Sequence, residues 1–250
     1  MFLLSIAKTG LFFQRVSAPV PLWLRPRTEY DFRMGQLILL RHGQSQWNLE
    51  NRFTGWTDVP LSEQGKKDAE ASGRALRDWS FDLAFTSRLV RAQDTLHIVL
   101  KTMRHPDIPI EKDSALNERH YGDLQGLNKA ETVAQFGEDQ VKLWRRSYST
   151  RPPNGESIED CYRRVIPFFI QYVLPHVEEG KTVVIAAHGN SLKPIFQYLD
   201  HLKDDVAAVM EVGLCLPYIY TFEGKEVVKK EVLSVPDIVA TGTADISKKK

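Results

Sequence analysis

Two short runs of unbroken apolar sequence constrain the fold of this chain more than any other feature. Leu37-Ile38-Leu39-Leu40 and Val183-Val184-Ile185-Ala186-Ala187 are too short for ordinary helices and lack the polar alternation of a half-exposed strand. Such runs predict strands covered on both faces, as in a parallel sheet held between layers of helices. Both end in the same way, the first in Arg41-His42-Gly43 and the second in His188-Gly189-Asn190. Ligands of open parallel sheets bind beyond the carboxyl ends of the strands, so the two His-Gly steps are expected to face one pocket.

The sequence between and after these runs alternates accordingly. Ser62 can cap a helix over 63–78, residues 81–86 read as a strand, and Ser87 is expected to open a helix through about Met103. Residues 106–128 are rich in loop formers, with Pro109, Gly122 and Gly126. Helical patterns follow at 129–136 and 139–146. Ser157-Ile158-Glu159-Asp160 is a capping-box signature that starts a helix to about Glu178, which Pro167 and Pro175 should kink or interrupt. Asn190 or Ser191 is expected to cap the helix after the second apolar run. The fold class is therefore α/β, a three-layer sandwich with a mainly parallel central sheet flanked by helices. The domain is expected over 36–236, with an extension at 1–35 outside the fold and a mobile tail at 237–250.

Composition narrows the function. Lys and Arg number 33 against 32 Asp and Glu, a net charge of +1, so no global field draws the chain to nucleic acid or an anionic membrane. The first 35 residues hold five of the cations against Glu29 and Asp31, which leaves a slightly acidic body. No apolar run reaches the roughly 18 residues of a bilayer span. Cys161 and Cys215 show neither disulfide nor metal-ligand spacing, and a reduced, cytoplasmic compartment is expected. Residues 1–33 admit three readings: an organelle transit peptide, a disordered extension, or an upstream start that is not used, with Met34 as the working one.

The chemistry gathers around the two histidines. A lone His at a strand end is usually structural; two with flanking Arg and Asn point to a site. Gln44-Ser45-Gln46-Trp47-Asn48 add hydroxyl and amide groups, while Arg41, Arg91, Arg145 and Arg146 supply the planar forks that phosphate sites prefer. Arg88 reads as a surface residue. Leu116-Asn117-Glu118-Arg119-His120-Tyr121-Gly122 is too polar to be core, and Glu118 is its candidate general acid and base. Phosphate-binding glycine loops, dinucleotide fingerprints, H-E-x-x-H and G-x-S-x-G are absent, so nothing in the sequence requires a metal or a nucleotide.

With these motifs, and with Asn51-Arg52-Phe53-Thr54-Gly55-Trp56, Gly126-Leu127-Asn128-Lys129 and Trp144-Arg145-Arg146, the chain from about Leu37 to Val235 resembles the cofactor-dependent phosphoglycerate mutases of the histidine phosphatase superfamily. The resemblance implies that His42 is the nucleophile that becomes phosphohistidine. It implies that Arg41, Arg91 and His188 hold the transferring phosphoryl oxygens and that Glu118 moves the proton of the substrate hydroxyl. Ser45, Asn48, Thr54, Gly55, Arg119, Tyr121, Lys129, Arg145, Arg146, Gly189 and Asn190 would bind the carboxylate and second phosphate of a small phosphoglycerate. The implied cofactor is 2,3-bisphosphoglycerate as priming phosphate donor, with no metal, and the implied reaction interconverts 3- and 2-phosphoglycerate in glycolysis and gluconeogenesis.

A bisphosphoglycerate synthase or phosphatase is the alternative built on the same site. A regulatory phosphate binder without turnover is disfavoured because His42 and Glu118 are both present. The residues after Val235 are a candidate lid or a plain terminus. A homo-oligomer, dimer or tetramer, is implied, and the short bridge at 148–156, where similar enzymes often carry a longer loop, weakens that expectation. Leu214-Cys215-Leu216-Pro217 stands where the family tends to have Thr-Gly before the proline, so that turn is expected to differ.

Overall fold

The computed structural model describes residues 34–236 and Ile238, apart from residue 106. The readings made for the leader at 1–33 and, Ile238 aside, for the tail beyond 236 fall outside the described residues. The first apolar run becomes β1 (Gly35–Arg41) and the second β4 (Thr182–Ala187), paired in parallel from Gln36 opposite Thr182 to Arg41 opposite Ala187. β2 (Leu83–Thr86) and β3 (Ile110–Lys112) continue the parallel sheet beyond β4. On the other side of β1 lie β5 (Pro217–Glu223) and β6 (Glu226–Val232), an antiparallel hairpin, giving the order β3-β2-β4-β1-β5-β6.

Strand geometry sends alternate side chains to opposite faces, and the core divides that way. Leu37, Leu39, Phe85, Val183 and Ile185 pack on one face against α6 (Ile158–Phe168), α7 (Leu174–Glu178) and α8 (Gly189–Asp200). Ile38, Leu40, Ala84, Val184 and Ala186 pack on the other against α2 (Glu63–Ala75) and α3 (Val90–Met103). Each buried Leu or Ile contributes about 1.5–3 kcal/mol relative to exposure. A separate small cluster of Phe53, Leu124, Val141 and Trp144 lies beside α4 (Lys129–Phe136) and α5 (Glu138–Arg146). A short helix, α1 (Gln46–Leu49), follows β1, and α9 (Asp204–Val209) follows α8.

The expected caps are in place at two helices. The Ser62 hydroxyl accepts from the Gly65 N–H, and Ser157 and Asp160 form a reciprocal capping box. The helix begun at Ile158 is interrupted as its prolines require, by a π turn over Phe169–Val173 before α7. Pro175 has no N–H to return to the carbonyl of Gln171, and its ring crowds that carbonyl.

Three expectations change. Ser87 does not open α3, which starts at Val90, whose N–H donates to Asp58 Oδ1 at 2.7 Å. Neither Asn190 nor Ser191 is the N-cap of α8; His188 occupies that position, and the Ser191 hydroxyl accepts from its N–H at 3.1 Å. The loop-rich segment 106–128 contains β3, and β6, exposed along most of its length, carries no apolar run to announce it. The 214–217 turn places Cys215 at φ +52°, with its N–H donating to the Arg41 carbonyl at 3.0 Å. Among the described residues no helix is long and apolar enough to cross a membrane.

Leu39 lies in the central strand with no exposed surface. Leu39→Ala should lower the free energy of unfolding by about 2–5 kcal/mol, read from the shift of a urea denaturation midpoint. Val228→Ala, on the exposed edge strand, should change it by less than about 0.5 kcal/mol.

Candidate active site

The parallel register that ends with Arg41 opposite Ala187 carries both chains past the sheet edge together. The His42 N–H donates to the Ala187 carbonyl at 2.9 Å, and the His42 and His188 ring centroids stand 4.9 Å apart, tilted by 59°. Burial, with the guanidinium groups of Arg91 and Arg41 nearby, holds the His42 pKa well below 6.5, so the ring is neutral at physiological pH. Its Nδ1 lies 2.6 Å from the Gly43 carbonyl, which can only accept, so the single ring proton sits on Nδ1 and the Nε2 lone pair is left for a nucleophilic role. The same causes, burial first, keep His188 neutral.

At Gly43 the backbone closely approaches α2: a Cβ there would lie 2.4 Å from the Gly65 carbonyl, and one at Gly65 would lie 2.1 Å from the Gln44 carbonyl. The two glycines let the loop after β1 mesh with the first turn of α2.

Arg91 is buried, and its two terminal nitrogens donate to the carbonyls of Gly55 and Thr57 at 2.8 and 3.1 Å; burial pushes its pKa down to about 10, still cationic at neutral pH. Arg41 donates from one terminal nitrogen to the Val212 carbonyl, while its Nε is buried without a partner. Glu118 is held at the amino end of α8, where its Oε1 accepts the N–H groups of Asn190 at 3.2 Å and Arg119 at 2.7 Å. Its carbonyl accepts from Trp56 Nε1 and Arg164, and Arg164 is paired with Glu156 at 2.9 Å. The backbone carrying this carboxylate is thus fixed from two sides.

These groups open onto a cavity of about 210 Å³. Of the residues singled out in the sequence, Arg41, His42, Asn48, Thr54, Gly55, Arg91, Glu118, Tyr121, Lys129, Arg145, Arg146, Gly189 and Asn190 line it. His188 is fully buried against the His42 ring and is not among the residues lining the cavity. Ser45 and Arg119 are not brought to the wall. Ser45 caps α1 through a reciprocal pair with Asn48, and the Arg119 guanidinium is buried over the Tyr121 ring, donating to the Trp144 carbonyl at 2.8 Å. Ser45 thereby braces Asn48, and Arg119 braces the Trp144 carbonyl through one nitrogen while its Nε and other terminal nitrogen are buried without a partner. Because Asn48 Oδ1 already accepts from Ser45, the group that Asn48 can offer the cavity is its amide NH₂.

Lys193, Arg52, Phe53, Met210, Glu211 and Val212 also line the cavity and were missed. Lys193 follows Gly189 by four residues, one helical turn, and that spacing could have found it. No local signal marks 210–212. The wall carries seven Arg and Lys side chains against the two carboxylates Glu118 and Glu211. Burial and neighbouring cations push Lys129 down to about 8 and Lys193 to about 7. His42, Glu118 and His188 present ligand atoms within 4.8 Å of one another, a grouping able to hold a metal ion. The guanidinium groups that suppress protonation of the two imidazoles equally oppose a dication there. Together with the unpartnered buried atoms His188 Nδ1, Arg41 Nε and Thr54 Oγ1, the charge balance fits a polyanion.

A neutral imidazole with one ring nitrogen unbonded, a second imidazole against it and a cation-lined cavity at the end of a parallel sheet are groups able to serve phosphoryl transfer. The chain belongs to the histidine phosphatase superfamily (branch 1), whose model matches residues 37–233. It is 47% identical to 2,3-bisphosphoglycerate-dependent phosphoglycerate mutase 2 of Gloeobacter violaceus, over 82% of this chain and 94% of that protein. It is 49% identical to the 2,3-bisphosphoglycerate-dependent phosphoglycerate mutase of Beijerinckia indica subsp. indica, over 77% and 97%. Among solved structures, a mycobacterial glucosyl-3-phosphoglycerate phosphatase superposes with a TM-score of 0.68 at 27% identity, covering 84% of this chain and all of that one. Bacillus stearothermophilus YhfR does so with 0.68 at 29% identity, covering 82% and 97%.

Two imidazoles kept neutral by the fold make stability depend on pH with a definite sign. Below about 6.5 the unfolded chain takes up protons at His42 and His188 that the folded chain does not, so each histidine lowers stability as pH falls, by up to about 1.4 kcal/mol per pH unit. Above about pH 7 neither contributes. Urea denaturation between pH 8 and pH 5.5 should show a shallower acid decline in His188→Gln than in the parent.

Proposed function

We propose that this chain is an isomerase that interconverts 3-phosphoglycerate and 2-phosphoglycerate, passing the phosphoryl group through His42. The observation that carries the reading is His42 itself: neutral, with Nδ1 tied to the Gly43 carbonyl and the Nε2 lone pair unspent beside Arg41 and Arg91. The names of its relatives support the same reading and point to 2,3-bisphosphoglycerate as cofactor. The cationic wall and its unpartnered buried donors suit that ligand. 2,3-Bisphosphoglycerate supplies the phosphoryl group that primes the enzyme.

His42 Nε2 attacks phosphorus in line with the leaving oxygen, and its ring is held in aim by the Gly43 carbonyl. Arg41 and Arg91 offset the charge spread over the equatorial oxygens; their positions are fixed beforehand by backbone carbonyls, so no reorganisation is needed during transfer. Glu118 takes the proton of the attacking substrate hydroxyl and returns one to the leaving oxygen. Asn48, Lys129, Arg145 and Arg146, with the backbone at Thr54 and Gly55, hold the carboxylate and the phosphate that is not reacting. Arg145 and Arg146 come from the last turn of α5, where Arg146 is anchored by Glu211.

The purified protein should interconvert the two phosphoglycerates in a coupled assay stimulated by 2,3-bisphosphoglycerate. His42→Ala should lower kcat at least about 10³-fold and abolish acid-labile phosphoprotein. Phosphate release faster than isomer formation would instead assign the chain to the phosphatases. Lys193→Met should raise KM about 10-fold with a smaller change in kcat. Since the amine is charged only below about pH 7, that penalty should be greatest at and below neutrality and fade as pH rises.

A further inference from the structure

Ser87 lies in the turn between β2 and α3, is fully buried and does not line the cavity. Its Oγ stands 2.7 Å from His188 Nε2, and the same oxygen accepts the Leu89 N–H at 3.2 Å. A buried hydroxyl has one proton to place, and among the described residues the imidazole nitrogen is the only acceptor that Ser87 Oγ meets. His188 is neutral in this setting and carries one ring proton. With Nε2 accepting from the serine, that proton belongs on Nδ1. Nδ1 is buried and has no protein partner, on a ring whose centroid is 4.9 Å from that of His42.

We propose that Ser87 is a positioning residue for phosphoryl transfer: its hydroxyl donates to Nε2 of His188 and fixes the ring as the Nδ1–H tautomer, making His188 a hydrogen-bond donor to the phosphoryl group that His42 receives. The catalytic half rests on the reading of His42 as phosphoryl acceptor; the tautomer does not. Without the serine proton, His188 is free to take the opposite tautomer and to present a lone pair, which would repel phosphoryl oxygens. Ser87 thereby sets the sign of an interaction it does not itself make. The device parallels the one at His42, where a backbone carbonyl selects the tautomer by accepting; at His188 a hydroxyl selects it by donating.

Long-range ¹H–¹⁵N correlation spectra of the ligand-free full chain at pH 7.5 test the first half, with His188→Gln providing the assignment. His188 should show a protonated Nδ1 and an unprotonated Nε2. In Ser87→Ala that signature should be lost, kcat and the rate of His42 phosphorylation should fall about 10–100-fold, and KM should stay within about 3-fold. Ser87→Thr, which keeps the hydroxyl, should recover both the signature and the rate. A proton on Nε2 in the parent protein would overturn the proposal, and so would a Ser87→Ala protein of unchanged tautomer and rate, even one of lower melting temperature. If Ser87→Ala does not fold, the parent spectrum and Ser87→Thr still decide. If the parent chain forms no phosphohistidine, the reading of His42 fails while the tautomer is still measured.

Discussion

The parallel pairing of β1 with β4 is the constraint on which the site depends. Both strands are buried on both faces, and their register ends with Arg41 opposite Ala187, so the next residue of each, His42 and His188, leaves the sheet at the same level. A slip of one residue would send every side chain of β4 to the other face and carry His188 away from its partner. The hydrophobic core therefore does more than stabilise the chain: it sets the spacing of the two imidazoles to within the tolerance of packed side chains. Arg91, Glu118 and Asn190 are placed relative to that pair by helix ends and by carbonyls of neighbouring loops.

The charges around the pair act twice. Arg41 and Arg91 make protonation of His42 unfavourable, which keeps a lone pair available, and the same positive field is what an incoming phosphate meets. A protein with a net charge of +1 reaches this state by gathering its useful cations, so that distant strands and loops each deliver one or two to a single wall. Glu118 is fixed amid that field: its carboxylate is tied to two N–H groups at a helix start and its backbone is pinned by Trp56 and Arg164.

The parts readable in the sequence were those whose physics is local. Burial on both faces leaves an uninterrupted apolar run, so β1 and β4 could be read, and caps such as Ser62 and the Ser157–Asp160 box satisfy helix ends within a few residues. The strands β3 and β6 could not, one being three residues long and the other largely exposed; a strand at a sheet edge owes its pairing to its neighbour and not to its own pattern. The motifs named most of the cavity wall but could not tell a polar side chain that faces a ligand from one that braces its neighbour. Ser45 and Arg119 brace, and Ser87, read as a helix opener, meets His188. Residues 210–212 reach the wall only through the long-range path of the chain after α9, which no local pattern encodes.

The buried Arg91 spans two parts of the cavity. Its charge lies near the histidines, while its terminal nitrogens are bonded to the carbonyls of Gly55 and Thr57 in the loop that also supplies Thr54 to the wall. The loop that carries Thr54 and Gly55 and the cation beside the histidines are thus mechanically one piece: neither shifts without breaking the hydrogen bonds of Arg91.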